Sequence, residues 1–401
     1  MTSQPPLASK PVQVSQQTGR VIAGPIAANI AFVMELTLVP LLLPAIQQQF
    51  GLSVSELVWV FNAYAIAVAI GVLLGGWSGD AFNTKTVFSY GLAFFAAGSL
   101  LVSAAESFEL VIIGRALQGL GAGIFSPLLP VLLARASPQK PGRMLIFWGS
   151  IAGYVAALAP LFYGIAFDES DWNIAFIFIA SIAILGWAVL KLSNVPDDGS
   201  TGAKADRKYS KLFQVRHLWL TFVYVFCTYG AITYYLFQLP ILLSTADIKA
   251  ASVGFLLTIL WLTFSGMSAV LRNLVDTPHL KTIMFAAPFL ILTGVLLSYF
   301  DQNFWVLALS SVLVGSGLAC SNAPSTQLVL RFAPNGMSAI STSLDITFAR
   351  LGGIATVAFL ADVQFLTVAL AMCLLGVLAA VCAIATNNEF NGMRVVGLDQ
   401  P

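Results

Sequence analysis

Four ionisable residues stand inside long apolar runs of the sequence: Glu35, Arg115, Asp345 and Arg350. An ionised group in the middle of a bilayer costs at least about 2.5–3.5 kcal/mol, so each marks a candidate site of function. The chemistry open to an isolated carboxylate and a guanidinium in such surroundings is proton exchange. Desolvation favours the neutral acid and a nearby cation favours the charged one, so a carboxylate between those pulls can gain and lose a proton. Glu35 and Arg115 are the candidates for that role, with a purely structural clamp as the alternative. Asp345 and Arg350 lie five residues apart, about 140° around a helix, and so do not pair with one another. Each needs a partner elsewhere, a water or a bound molecule.

Other polar side chains could line a cavity. Tyr224, Thr228, Ala231, Tyr235 and Gln238 form one stripe at helical spacing, and aromatics with polar tips suit amphipathic molecules. Asn29, Asn62, Gln118 and Asn322 could face the same space, or could instead hydrogen-bond between helices. Together with Asp345 and Arg350, the residues Asn29, Asn62, Gln118, Tyr224, Tyr235, Gln238 and Asn322 are the candidate substrate-binding set.

The elements that must position these residues are membrane helices. Only 9% of the chain is charged, 58% is hydrophobic and the mean hydropathy is +0.87, whereas a soluble protein carries roughly 25% charged residues. A span needs about 20 mostly apolar residues, and twelve stretches qualify: 21–46, 55–78, 86–105, 109–134, 143–167, 173–192, 217–243, 252–272, 281–300, 303–330, 338–361 and 364–386. All must be helical, because backbone facing lipid has to satisfy its own hydrogen bonds. Apart from Lys249 and the two arginines within spans, every Lys and Arg falls on the side of the N-terminus, while Glu56, Glu106, Glu109, Asp168, Glu169, Asp171, Asp301 and Asp362 fall opposite. Basic loops stay inside, so both termini and the central loop are expected to be cytoplasmic. The polar stretch 1–19 is expected to be disordered, with no cleaved signal peptide after it.

Displaced by 196 residues, the sequence repeats its punctuation. Pro44 falls on Pro240, Asp80 on Asp276, Lys85 on Lys281, Gly119 and Gly121 on Gly315 and Gly317, Arg135 and Pro138 on Arg331 and Pro334. Two units in the same order imply two pseudo-symmetric six-helix halves. The expected division is 20–192 and 217–386, joined by a cytoplasmic linker 193–216 and followed by a cytoplasmic tail 387–401. At the same offset Glu35, Arg115, Asp345 and Arg350 meet Ala231, Ser311, Gly149 and Tyr154. The corners are duplicated and the buried charges are not. Asp80, Lys85, Arg135, Asp276, Lys281 and Arg331 are therefore candidate gating residues at the cytoplasmic corners, and Arg143, a base on the same side, is a further candidate.

Motifs along nearly the whole chain resemble the major facilitator superfamily and, within it, the drug:proton antiporters. The first span carries Glu35-Leu-Thr-Leu-Val-Pro-Leu-Leu-Leu-Pro44-Ala-Ile-Gln, the second opens with Trp59-Val-Phe-Asn-Ala-Tyr64, and the fourth holds Arg115-Ala-Leu-Gln118-Gly119-Leu-Gly121-Ala122. The last is similar to that group's Arg-x-x-Gln-Gly-x-Gly-Ala motif, and the resemblance implies a role for Arg115 in proton coupling. Two motifs depart from the pattern. After the second span, Gly76-Trp-Ser-Gly-Asp80-Ala-Phe-Asn-Thr-Lys85 lacks two arginines and a glycine. In the fifth, Ala159-Pro160-Leu-Phe-Tyr163-Gly164 keeps only the proline and the last glycine of Gly-Pro-x-x-Gly-Gly.

The expected fold is an all-α membrane protein of twelve transmembrane helices in the major facilitator fold. The expected function is proton-coupled export of a small amphipathic molecule, a drug or secreted metabolite, by alternating access. Proton-coupled import of a nutrient is the alternative, since the fifth-span motif associated with export is eroded. The expected partners are the small-molecule substrate, protons and the lipid bilayer of a bacterial inner membrane, with a monomeric chain. A nucleic-acid partner is excluded by a net charge of +1. An enzyme is not expected, since His217 and His279 stand apart without a catalytic set. Cys227, Cys320, Cys373 and Cys382 have no metal-like spacing, and no cofactor or metal is expected.

Overall fold

The structure, a computed structural model, describes residues 12–136, 141–167, 171–193, 210–245, 250–271, 280–301, 303–334 and 337–388. Within them, only the backbone is described for 12–21, 79–81, 134–136, 141–150, 210–211, 245, 250, 281, 323, 330, 338–339 and 387–388. In chain order the helices are α1 Val12–Phe50, α2 Val54–Ala81, α3 Thr84–Ser103, α4 Phe108–Phe125, α5 Leu129–Ala136, α6 Pro141–Ala166, α7 Trp172–Lys191, α8 Ser210–Gln214, α9 Arg216–Thr245, α10 Ala250–Leu271, α11 Leu280–Phe300, α12 Phe304–Phe332, α13 Ser338–Leu360 and α14 Phe365–Asn388. Among the described residues eleven helical segments are long and apolar enough to cross a membrane, and Ile151–Ala166 of α6 is a shorter apolar one.

Each boundary has a local cause. Ser53 accepts from the Glu56 N–H while Glu56 returns a bond to the Ser53 N–H, a capping box that starts α2. Asn83 and Ser107 cap α3 and α4 by accepting from the Thr86 and Leu110 amides with their side chains, without the reciprocal bond. The fourth expected span breaks at a 3-10 turn, Ser126–Leu128, where Pro127 and Pro130 remove amide donors from the helix ladder. Three expectations at the edges change. The helix α1 begins at Val12, inside the stretch 1–19 expected to be disordered, because no proline stands between Pro11 and the apolar run from Val21 that nucleates the helix. The expected linker 193–216 contains the short helix α8, and α9 starts at Arg216; 194–209 lie outside the described residues. The helix α14 runs to Asn388, and the remainder of the tail lies outside them too.

Neighbour relations repeat along the chain. In the first half α1 packs on α6 and α7, α2 on α4, and α3 on α4 and α7; in the second α9 packs on α13 and α14, α10 on α12, and α11 on α12 and α14. The 196-residue offset carries single contacts onto one another. A Cβ on Gly119 would stand 2.3 Å from the Tyr64 carbonyl oxygen, and one on Gly315 would stand 2.4 Å from that of Leu260. Gly98 meets the Gln118 amide as Gly294 meets that of Val314, and Gly121 meets the Phe95 amide as Gly317 meets that of Ile291. Where lipid gives apolar side chains no drive to associate, close backbone approach through small residues holds helices together. The two sets of helices meet along α2–α13 and α6–α10.

Gly119→Val is expected to lower stability by about 1–3 kcal/mol, the usual cost of overpacking, seen as an earlier thermal midpoint in detergent. Gly266→Ala, where an added Cβ meets nothing within 4 Å, should leave that midpoint unchanged or higher. Equal midpoints for the two variants would contradict the close α2–α4 contact.

Candidate functional site

Arg115 sits two turns into α4 with its side chain 2% exposed. Its Nε donates to the Val60 carbonyl of α2 at 2.9 Å, taking that oxygen's second lone pair. Its Nη1 donates to Glu35 Oε1 of α1 at 2.7 Å and also to Gln118 Oε1. Gln118 in turn donates Nε2 to Ser99 Oγ at 2.8 Å, and Ser99 donates to the Phe95 carbonyl at 2.8 Å. The Tyr64 ring lies under the guanidinium with its centroid 4.3 Å from Cζ, within cation–π range. Four helices thus fix one cation. A buried ion pair repays its desolvation only with such geometry and added hydrogen bonds.

Glu35 is satisfied on one side only. Its Oε2 is buried with no partner at hydrogen-bond distance, and the Tyr64 hydroxyl, likewise without one, stands near enough to feel the Glu35 charge. Both residues line one cavity. Arg115, Asn62, Phe61 and Val39 line it from the first half, and Thr233, Leu236, Arg350 and Gly353 line it from α9 and α13. At its edge Asn62 Nδ2 donates to the Ile354 carbonyl at 3.3 Å and the Phe61 and Phe237 rings meet edge-on, 5.6 Å between centroids. The site is therefore built from both halves, with the ion pair on one wall and Arg350 on another.

Of the residues expected to bind substrate, Asn62 and Arg350 reach this cavity, and the others do not line it. Gln118 is a support for Arg115. The Tyr224 hydroxyl donates to the Met284 carbonyl at 3.0 Å, and that of Tyr235 is shared with Ser310 and Ser311 at 3.0 Å each. Their stripe on α9 packs inside the second half, because an aromatic with a polar tip is as well satisfied between helices as in a cavity. Asn322 accepts from Tyr229 at 2.7 Å. Asn29 Nδ2, Gln238 Oε1 and Asp345 Oδ1 are buried without partners away from the cavity lining. The sequence reading missed Phe61, Tyr64, Thr233 and Leu236 as lining residues; Thr233 and Leu236, three apart on α9, lie on the side of the helix away from the stripe.

Among the expected gating residues, Lys85 donates Nζ to the Ser193 carbonyl. It ties the start of α3 to the end of α7 within one half, where a cation complements exposed carbonyls. Arg331 is exposed on the last turn of α12. The side chains of Asp80, Arg135, Arg143 and Lys281, and the whole of Asp276, lie outside the described residues.

A model of the Major Facilitator Superfamily matches residues 26–357. The chain is 32% identical over 179 residues to the puromycin resistance protein pur8 of Streptomyces alboniger, covering 44% of this chain and 35% of that protein. It is 30% identical over 171 residues to the methylenomycin A resistance protein of Bacillus subtilis, covering 42% and 37%. It is 30% identical over 182 residues to the multidrug export protein EmrB of Haemophilus influenzae, covering 43% and 36%. The matches thus span little more than a third of those relatives' own lengths. Among solved structures, a D-xylose–proton symporter superposes with a TM-score of 0.74 at 17% identity, covering 92% of this chain and 96% of that one. A mutant of the nucleoside transporter NupG gives 0.75 at 12%, covering 92% and 100%. These last two share the fold.

Arg115→Ala leaves Glu35 buried without its cation, and losing one partner of a buried pair costs about 3–5 kcal/mol. The expected result is a large drop in thermal midpoint that Glu35→Gln partly restores in the double variant. Additive losses in that cycle would mean that the two side chains are not coupled.

Proposed function

The chain belongs to the Major Facilitator Superfamily, and from that premise we propose that this multi-pass membrane transporter exports a small amphipathic organic molecule in exchange for protons. Alternating access moves the cargo, with both termini on the cytoplasmic face of a bacterial inner membrane. The observation that carries this reading is the half-satisfied Glu35, which lines a cavity shared by both halves with one oxygen on Arg115 and the other, Oε2, buried without a partner.

The exchange runs through that carboxylate. A proton reaching Oε2 neutralises Glu35 and removes the charge that Arg115 balances. Arg115 stays held by Val60 and Gln118, so the change in charge falls on the cavity and not on the fold. Cargo that needs the ionised carboxylate leaves when the proton arrives, and the proton leaves when cargo returns. The halves rock about the cavity, opening the α2–α13 and α6–α10 seams at one end at a time. One charge crossing about 100 mV supplies about 2.3 kcal/mol, enough to hold about a 50-fold cargo gradient at 1.4 kcal/mol per decade. The names of the relatives, resistance and export proteins, support the outward direction.

Glu35→Gln keeps the shape and hydrogen-bonding reach of the side chain and removes its proton exchange. In proteoliposomes with an imposed pH gradient, cargo-dependent proton flux is expected to fall at least tenfold, with the protein still folded and inserted. A panel of dyes and drugs, puromycin included, supplies the cargo. Coupled flux at the wild-type rate in this variant would end the assignment.

A further inference from the structure

The charges lining the cavity are not balanced. Glu35 brings one negative charge, and Arg115 and Arg350 bring two positive ones. Arg115 is committed to protein partners through Nε and Nη1. Arg350 makes no ion pair or hydrogen bond with any described residue, although its neighbours Asn62 and Thr233 share the lining. The other buried acid of its helix does not serve it. Asp345 lies about 140° round α13 from Arg350, makes no ion pair among the described residues and does not line the cavity. The titratable groups lining this space are thus Glu35 from α1, Tyr64 from α2, Arg115 from α4 and Arg350 from α13; the lining residues of α9, Thr233 and Leu236, carry none, and Tyr229 of that helix, whose hydroxyl donates to Asn322, feels the Arg350 charge from outside the lining.

One cavity therefore offers an unused guanidinium and an unused carboxylate oxygen, with apolar walls of Leu36, Val39, Phe61 and Leu236 beside them. We infer that the cargo is a zwitterion, its anionic group held by Arg350 and its ammonium group by Glu35 Oε2, with an apolar body against those walls. A simple cation would satisfy Glu35 and be repelled by the free Arg350. A simple anion would satisfy Arg350 and leave the buried Oε2 unpaired beside it. A buried polar or charged group left without a partner is penalised by its full desolvation, and a zwitterion fills both vacancies at once.

The inference rests on the transport reading and sharpens its coupling. The cargo's ammonium group and the proton compete for the same oxygen, so they exclude each other, as exchange requires. An anionic cargo would couple with the opposite sign. Protonation of Glu35 would add to the positive charge of the site, strengthen anion binding and make the two travel together.

Three probes with one indole body separate these cases: tryptophan (zwitterion), tryptamine (cation) and indole-3-propionate (anion), titrated by calorimetry into the purified full-length protein. Tryptophan is expected to bind at least tenfold more tightly than either of the others. Arg350→Ala should weaken tryptophan and indole-3-propionate at least tenfold and leave tryptamine no weaker, with Arg350→Lys recovering part of the loss. Glu35→Gln should weaken tryptophan and tryptamine at least tenfold and leave indole-3-propionate unchanged or tighter. Tightest binding of tryptamine or of indole-3-propionate, equal binding of all three, or binding of none would overturn the inference. Proton flux on the same preparation separates the two levels. A protein that exchanges protons for a dye yet does not prefer tryptophan fails here alone. One that prefers tryptophan and yet exchanges no proton with any cargo fails the transport reading alone.

Discussion

Everything in the candidate site depends on how near α4 can come to α2 and α3. Gly119 lies against the backbone of Tyr64, and Gly98 lies against that of Gln118, at separations that no Cβ could share. Because the helices touch there, the Arg115 guanidinium can reach the Val60 carbonyl and lie over the Tyr64 ring. Gln118, one turn along, can reach Ser99 across the α3 contact. A guanidinium left without those partners would cost several kcal/mol in a membrane. Helix packing is thus the condition for keeping the charge, and the charge is the condition for the exchange proposed at Glu35.

The second half makes the same crossing and spends it differently. Gly315 lies on Leu260 as Gly119 lies on Tyr64, and Gly294 takes the place of Gly98. At the position of Arg115, however, stands Ser311, which shares a hydrogen bond with Tyr235, while Ser310 bonds both to Tyr235 and to the Gly294 carbonyl at 2.7 Å. Hydroxyl groups satisfy one another between helices without moving a charge into lipid. The repeat therefore preserves backbone geometry and releases the side chains for separate duties. The buried ion pair belongs to the first half, while the second presents Arg350 to the shared cavity from α13.

This division explains what could be read in the sequence. Spans, repeat and the Glu35–Arg115 pairing were legible because each rests on a cost that lipid makes large: unpaired backbone, unpaired charge, or a Cβ where two helices touch. The facing of α9 was not. A helix buried on nearly all sides has no polar face to orient it, and on α9 the tyrosines 224 and 235 are as buried as the leucines around them. Their hydroxyls found Met284, Ser310 and Ser311, and only the packing of α9 against α13, α14, α11 and α12 decides that. The start of α1 was misjudged for a related reason. Polar composition signals disorder for a free chain, whereas a short polar segment continuous with a long helix can extend it, since propagation is far cheaper than nucleation.

The seam between the halves is made of weaker contacts than the ion pair. Along α2–α13 it is made at one end by Ser55 and Asp362, hydrogen-bonded at 3.2 Å, and near the other by Gly76 facing Ser343, where a Cβ would stand 3.1 Å from the hydroxyl oxygen. Along α6–α10 the corresponding contacts are Gly254 on the Pro160 carbonyl and Gly153 on the Ser265 hydroxyl. Exposed hydrogen bonds and small-residue contacts are each worth about 1 kcal/mol or less, so they can be broken and remade at one end at a time. The strong interaction, the ion pair, lies wholly within the first half, so the rocking proposed above does not have to break it. Weak contacts across the seam and one strong contact beside it are the arrangement through which the proposed change of charge at Glu35 would bias a change of shape.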